Sequence, residues 1–297
     1  MPNVKLKSYL HLHFLVFIAG FTAILGELIT IGSVPLVWYR MVIALVIMFV
    51  FIKIQKTNLN QKRSAILKFS IAGILIAFHW ITFFESIKQA NISIALAMFS
   101  TGAFFASLIE PLFFKRKVVW YEILFGISVI VGVWMITKTE FHYFNGIILG
   151  VVSALFSTLF AVINGKLVER YTASVISFYE FISGIVCISV FLLFFRGGFD
   201  LSFFSIATND WIYLFILGSI CTAYAFIAVV YIMKEINPYT VVLTYNLEPI
   251  YGILLAIIIF PEKEKMSPQF YVGTLLIVST VLLNGILKNR KKTKKNV

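Results

Sequence analysis

Long uninterrupted apolar runs constrain this chain more than any other feature of its sequence. A helix that crosses a bilayer needs about 20 mostly apolar residues, and ten runs approach or exceed that length. The runs are continuous instead of alternating at every second residue, so they exclude a transmembrane β-barrel. They cover residues 9–31, 35–53, 67–87, 92–114, 118–137, 145–165, 174–195, 211–233, 239–260 and 269–287. We predict an all-α integral membrane protein with ten transmembrane helices.

Composition and charge agree with a membrane protein. The chain is 60% hydrophobic and 13% charged, whereas a soluble domain is about 45–50% apolar and about 25% charged. The net charge is +12, which in a soluble protein would suggest nucleic acid. Here most lysines and arginines fall in every second segment between the runs and in the basic tail, as cytoplasmic membrane loops do. We therefore predict a multi-pass protein in the lipid bilayer of the cytoplasmic membrane, with both termini cytoplasmic and no nucleic-acid partner.

The sequence offers no pattern for catalysis, metal binding or cofactor binding. Cys187 and Cys221 both lie inside apolar runs, without the paired spacing of a disulfide framework or a metal site. There is no GxSxG motif, phosphate-binding loop or HExxH motif. We expect no enzyme, no metal and no cofactor. A channel is a further alternative, but carboxylates scattered one by one do not form the charged ring that would favour it.

The two halves of the chain resemble each other. The segment "IKQANISIALAMFSTGAFFASL" from Ile87 aligns with "MKEINPYTVVLTYNLEPIYGIL" from Met233. In a second alignment, Tyr39-Arg40 of "WYRMVIALV" matches Tyr179-Glu180 of "FYEFISGIV". Chance similarity between apolar strings is the alternative. If the repeat is real, each half has five helices, and an odd number inverts the second half across the membrane. The predicted units are residues 1–139, 140–288 and a basic tail, 289–297.

With these features the chain resembles the EamA-type drug/metabolite transporters. The resemblance covers nearly the whole chain and is most specific in "KEINPYTVVLTYNLEP…PEK", which contains Pro249 and Glu262. The first half departs from the family pattern, with Ala103 in place of the proline and Lys115-Arg116-Lys117 in place of the usual glutamate. The resemblance implies transport of small organic solutes by alternating access. Export of amino acids or related metabolites is our first expectation, and uptake of a cofactor, vitamin or nucleoside-like solute is the alternative.

Glu248 is a charged residue that the sequence places deep in the bilayer. It lies about ten residues from one end of its run, so about 15 Å deep, and Pro249 after it disturbs the helix. Either Glu248 takes up a proton or binds a cationic group of the solute, or it is a structural residue hydrogen-bonded to a neighbouring helix. His79 could likewise relay protons or be satisfied by a neighbour. The residues that we assign to substrate binding or proton coupling are Glu248, Tyr245, Asn246, His79, Phe83, Phe99 and Tyr224.

Four further charged residues suggest gates. Glu27 and Arg40 lie on either side of a tight turn, and Lys166 and Glu180 occupy the same places in the second half with the signs exchanged. We predict two ion pairs, at opposite faces of the membrane. They either break in turn during transport or only neutralise charge.

Small residues indicate where helices approach closely. Gly126 and Gly132 lie in the fifth run, and the fifth and tenth runs carry the fewest deep polar residues. These runs are predicted to pack against other helices or to form a homodimer face.

Overall fold

The computed structural model describes residues 2–115, 117, 119–195, 198–236, 241 and 244–295, and this part of the chain consists of helices joined by turns and loops, without strands. The helices of the first half are α1 (Pro2–Leu28), α2 (Ser33–Ile54), α3 (Arg63–Gln89), α4 (Ile92–Phe99), α5 (Gly102–Phe114) and α6 (Trp120–Thr139). A 3₁₀ turn, Phe141–Tyr143, leads into the second half. That half contains α7 (Phe144–Leu167), α8 (Ala173–Phe195), the short α9 (Leu201–Phe204), α10 (Thr208–Gly218), a π-helical turn (Ser219–Tyr224), α11 (Ala225–Glu235), α12 (Glu248–Ile259) and α13 (Pro268–Lys295).

Eight stretches of the described chain are long and apolar enough to cross a membrane, and they coincide with the first eight predicted runs to within a few residues. The ninth and tenth runs are represented by shorter apolar helices, Glu248–Ile259 and Pro268–Asn284. The start of the ninth run, residues 239, 240, 242 and 243, lies outside the described residues. The backbone of α13 continues to Lys295, so the tail predicted to begin at residue 289 prolongs the last helix.

The helices of the two halves pack in equivalent pairs. In the first half α3 packs against α7, and in the second α10 and α11 pack against α1. The segment α4–α5 packs against α7, and α12 packs in the same way against α1. Two further contacts join equivalent helices directly, α2 to α8 and α6 to α13. This arrangement is what a twofold relation between two repeats produces.

Hydrogen bonds show that the repeats are inverted. At the end of α3, Lys88 Nζ donates to the carbonyl of Ile29, which follows α1. Close by, Ser86 Oγ donates to the carbonyl of Gly146, at the beginning of α7. The first helix of one repeat therefore ends at the face where the first helix of the other begins. We call this the Lys263 face, and the opposite one, where α3 begins and α7 ends, the Lys166 face.

Two tyrosines support the alignment of α2 with α8. Tyr39 of α2 donates its hydroxyl to the Phe203 carbonyl in the loop after α8, at 3.1 Å. Tyr179 of α8 donates to the Leu59 carbonyl in the loop after α2, at 2.8 Å. Each repeat thus holds a loop of the other, at opposite faces. A residue pair that aligns weakly in sequence occupies equivalent places in three dimensions.

Glycines set the closest helix approaches. A Cβ at Gly73 would lie 2.7 Å from the Cα of Glu180, so α3 and α8 touch through backbone. Cβ atoms at Gly132 and Gly273 would each lie 3.0 Å from the carbonyl oxygen of the other, which brings α6 and α13 together. The close contact predicted for Gly132 is therefore confirmed as packing within the chain. The homodimer stays a prediction.

Candidate solute site

Both repeats interrupt a helix at the same place. In the first repeat α4 ends at Phe99 and α5 begins at Gly102. In the second, Asn246 and Leu247 form a turn and α12 begins at Glu248. Gly102 and Glu248 match in the same alignment that pairs Ile87 with Met233. Broken helices at corresponding positions of inverted repeats mark the substrate site in many transporter folds.

Different residues cause the two breaks. Pro249 lies in the first turn of α12, where its missing N–H leaves no hydrogen bond unmade. The proline therefore begins α12 just after the turn at Asn246 and Leu247, which agrees with the helix disturbance expected from the sequence. In the first repeat, Ser100 and Thr101 donate their hydroxyls to the carbonyls of Leu96 and Met98. Such local bonds compete with helix continuation.

A cavity of about 370 Å³ lies beside the two breaks, within the size range of small-molecule sites. Three predicted site residues line it, namely Phe99, Tyr245 and Asn246. Pro249 lines it too, but the preceding Glu248 is not among the lining residues, so its contact with a solute stays a prediction. Its other lining residues are Ser100, Gly102, Ala103, Ala106, Glu110, Phe114, Ala154, Ser157, Thr158, Ala161, Val162, Gly165 and Val281. Most are small or apolar, so the cavity suits a solute with an apolar portion.

His79 and Phe83 lie behind the cavity wall. The His79 ring stacks on Phe99 with 5.2 Å between centroids, and Phe83 meets Phe99 edge to face at 5.7 Å. Nδ1 of His79 is 2.8 Å from the Ser153 hydroxyl, a partner that satisfies it as a structural residue. Both residues support Phe99 in this conformation. Their contact with a solute stays a prediction.

Tyr224 is not brought to the cavity. Its side chain is exposed at the edge of the bundle, where its hydroxyl lies 2.6 Å from Nε2 of His11. The prediction placed it by depth alone. Depth does not tell which side of a helix faces the interior, and the π-helical turn that ends at Tyr224 changes that side.

The predicted pair of Glu27 and Arg40 is wrong for this conformation. Glu27 accepts a hydrogen bond from Lys263 Nζ at 2.6 Å. Arg40 is buried one helix away, where its Nε donates to Thr222 at 2.8 Å and its guanidinium lies 3.8 Å from the Trp80 ring centroid. The long Lys263 side chain, on a loop, reaches the end of α1 more readily than a residue inside α2.

The predicted pair of Lys166 and Glu180 is also absent. Glu180, 1% exposed, accepts a hydrogen bond from Asn164 Nδ2 at 2.7 Å. Lys166 Nζ instead lies over the rings of Phe113 and Phe114, at 5.5 and 5.4 Å. Asn164 and Lys166 are two residues apart on α7, so they point to different sides of the helix. A gating role for either charge in another conformation stays a prediction.

A polar network that the sequence did not reveal closes the Lys263 face. Its centre is Glu264, 2% exposed, which accepts hydrogen bonds from the backbone N–H groups of Ile92 and Ser93 at the start of α4. Further contacts join other helix ends there, namely Asp210 with Thr30, Glu85 with Ser33, Glu140 with Ser267, and Asn91 with Lys263. In the sequence this network is visible only as acidic residues in or beside short loops, a pattern typical of a solvated surface.

At the Lys166 face the described residues surround a cavity instead. A second cavity, of about 520 Å³, lies between the beginning of α3 and the ends of α5 and α7. Lys68, Lys166 and Arg170 line it, together with Phe113 and Phe114. Phe114 also lines the first cavity, so the two adjoin. The two cavities together span the described chain from this face toward the helix breaks, with Phe114 between them.

These features define a class of protein, a membrane bundle of inverted repeats with a cavity at paired helix breaks. The model of the EamA-like transporter family matches the chain twice, over residues 6–138 and 144–286. The chain belongs to this family, which makes it a multi-pass membrane transporter of the drug/metabolite transporter superfamily and confirms the resemblance seen in the sequence.

The comparison with solved structures supports the fold, and says nothing of the function. A solved crystal structure superposes with a TM-score of 0.64 at 13% identity, covering 95% of this chain and 98% of that chain. A search among curated proteins finds no match. Within the described residues, no group of three or more His, Cys, Asp or Glu side chains could hold a metal ion.

Proposed function

We propose that this protein is a secondary active transporter that exports amino acids or related small metabolites across the cytoplasmic membrane by proton-coupled alternating access. Both termini would lie in the cytoplasm, because they are among the segments that carry most lysines and arginines, and such segments stay on the cytoplasmic side. The Lys166 face is then cytoplasmic. The observation that carries the proposal is the cavity at the two helix breaks with a second cavity beside it at the Lys166 face, while polar contacts close the Lys263 face.

Inverted repeats explain how the second state would arise. The same five-span unit occurs in two opposite orientations, so exchanging the conformations of the repeats would close the Lys166 face and open the other. Such an exchange must break the contact between Glu27 and Lys263, which links the end of α1 to the loop before α13. The exposed Lys263 makes this a weak contact, suited to repeated breaking.

Glu248 is our candidate for proton coupling. It is the acidic residue at the helix break of the second repeat, and its equivalent, Gly102, carries no charge. Arg40 is the charged group that acts on it electrostatically. An acidic residue inside the membrane is expensive to keep and commonly serves ion or proton pathways.

Flux from liposomes tests the proposal. The purified protein is reconstituted in liposomes that hold a mixture of amino acids, nucleosides and vitamins, and released solutes are identified by mass spectrometry with and without a pH gradient. We expect gradient-dependent release of amino acids. We also expect Glu248→Gln to lower the rate at least about tenfold, equivalent to about 1.4 kcal/mol, with folding intact.

Glu262→Gln, on an exposed loop residue, is the matched control and should transport normally. Undiminished flux in Glu248→Gln would remove that residue from the mechanism. Release of nucleosides or vitamins alone would favour the alternative solute class. Liposomes that release nothing beyond protein-free controls would contradict the proposal itself.

A further inference from the structure

Arg40 has an unused hydrogen-bond donor inside the membrane. Its side chain is buried, with 4% of the residue exposed, and Nε donates to Thr222 Oγ1. Nη1 is buried without a hydrogen-bond partner, one of four such side-chain atoms in the described part of the chain. A guanidinium carries five N–H donors, and buried donors are nearly always satisfied. A charged group with a free donor at this depth points to a ligand.

The surroundings of Arg40 contact the face of its guanidinium and its Nε, and leave Nη1 without a partner. The Trp80 ring lies 3.8 Å below the guanidinium carbon and the Phe84 ring 5.6 Å away, both in cation–π geometry. Glu248 attracts Arg40 through space, but no hydrogen bond or direct ion pair joins these two described residues. Arg40 and Glu248 are thus oppositely charged groups that are not in direct contact. A carboxylate suits the free edge of a guanidinium because both are planar and can form two parallel hydrogen bonds.

Arg40 does not line the cavity but is connected to it through aromatic side chains, beginning with Phe84. A chain of rings separates the two, since Phe84 contacts Phe83, Phe83 contacts Phe99, and Phe99 lines the cavity. Glu248 directly precedes Pro249, which also lines the cavity. A solute that passes from the cavity toward the Lys263 face would meet both charges once the rings move.

We propose that Arg40 binds the carboxylate of the transported solute, and that Glu248 faces the solute's cationic group. The site then selects zwitterions with an apolar portion, which fits the small and apolar residues of the cavity. This inference rests on the proposed transport function. It replaces the gating role that the sequence suggested for Arg40 with solute recognition.

Matched pairs of compounds test the carboxylate requirement. The purified full-length protein is heated with leucine, leucinamide or isoamylamine, and with phenylalanine or phenylalaninamide, each at millimolar concentration. Bound ligand raises the apparent melting temperature by mass action. We expect stabilisation by the two acids, and apparent affinities about 10- to 150-fold weaker for the compounds without a carboxylate.

Variants then assign the effect to Arg40. Arg40→Gln should lose the preference for the acid, and Arg40→Lys should keep a weaker preference because it retains the charge without the planar fork. If Arg40→Gln does not fold, Thr222→Val tests the same point by removing the acceptor that orients Nε. Equal stabilisation by acid and amide, retention of the preference in Arg40→Gln, or no stabilisation by either acid would overturn the inference.

The flux assay separates this inference from the proposed function. Release of amino acids at equal rates by the wild type and Arg40→Gln would leave transport standing and refute carboxylate recognition. Acid-selective binding without flux would leave the binding site standing and refute transport.

Discussion

Glu264 offers the most direct test of how the Lys263 face is held. Its carboxylate accepts two backbone hydrogen bonds at the beginning of α4, from Ile92 at 3.0 Å and Ser93 at 2.9 Å. The residue is 2% exposed, so water cannot replace these bonds. Since it lies in the loop between α12 and α13, it ties the second repeat to the first.

The expected effect of Glu264→Gln follows from these two contacts. A glutamine keeps one acceptor oxygen but turns the other position into an N–H₂ group, which faces a backbone donor. One hydrogen bond to a charged acceptor is worth about 1.5–3 kcal/mol net. Removing a negative charge from a helix N-terminus adds about 0.3–1 kcal/mol. We expect the free energy of unfolding to fall by about 2–4 kcal/mol.

Thermal unfolding of the purified protein measures this change. About 2–4 °C per kcal/mol applies to chains of around 200 residues, so the melting temperature should fall by at least about 4 °C. The matched control is Glu262→Gln, the same substitution two residues away on an exposed side chain, which should change stability by less than about 0.5 kcal/mol. Equal melting temperatures for the two variants would refute the claim that Glu264 fastens α4.

Two further predictions concern other contacts between the repeats. The hydrogen bond to Glu27 raises the pKa of Lys263, so its stabilisation is complete below the ordinary lysine pKa of about 10.4 and is lost as pH rises through the raised value. The stability difference between wild type and Glu27→Gln should therefore vanish above that pH, and a difference that persists would contradict the pairing. Gly73→Ala should destabilise by about 1–3 kcal/mol in chemical unfolding, because its Cβ meets the Glu180 backbone. Gly165→Ala, where the nearest atom is at 3.5 Å, is its control, and equal effects would argue against close packing at Gly73.

Much of the fold could be predicted because the bilayer imposes a length and a composition on each span. The first eight runs, such as residues 35–53 for α2 (Ser33–Ile54), are found to within a few residues. The break between α4 and α5 could not be predicted. Ser100, Thr101 and Gly102 are each common inside membrane helices, and only their hydrogen bonds show that the helix stops there.

The site was predicted less completely. The partner of a charged side chain can come from a distant helix or loop, which the spacing between two residues does not reveal. Tyr245 and Asn246 were found from their nearness to Glu248, and they line the cavity. Glu27 was assigned to Arg40 because a turn joins their helices. The loop that brings Lys263 to it lies 236 residues away. Glu264 was overlooked for the same reason, since burial of an acidic loop residue appears only when another repeat covers it.

The exchange of tyrosine contacts between the repeats has a consequence for biosynthesis. The carbonyl of Leu59 receives its hydrogen bond from Tyr179, a residue 120 positions later. At about 5–20 residues per second of synthesis, the loop after α2 must wait about 6–24 s for the partner that fixes it. During that interval α2 and α3 are already long enough to enter the membrane. Insertion of the first repeat therefore precedes the fixing of its own loop, which the nascent chain completes only when α8 is made.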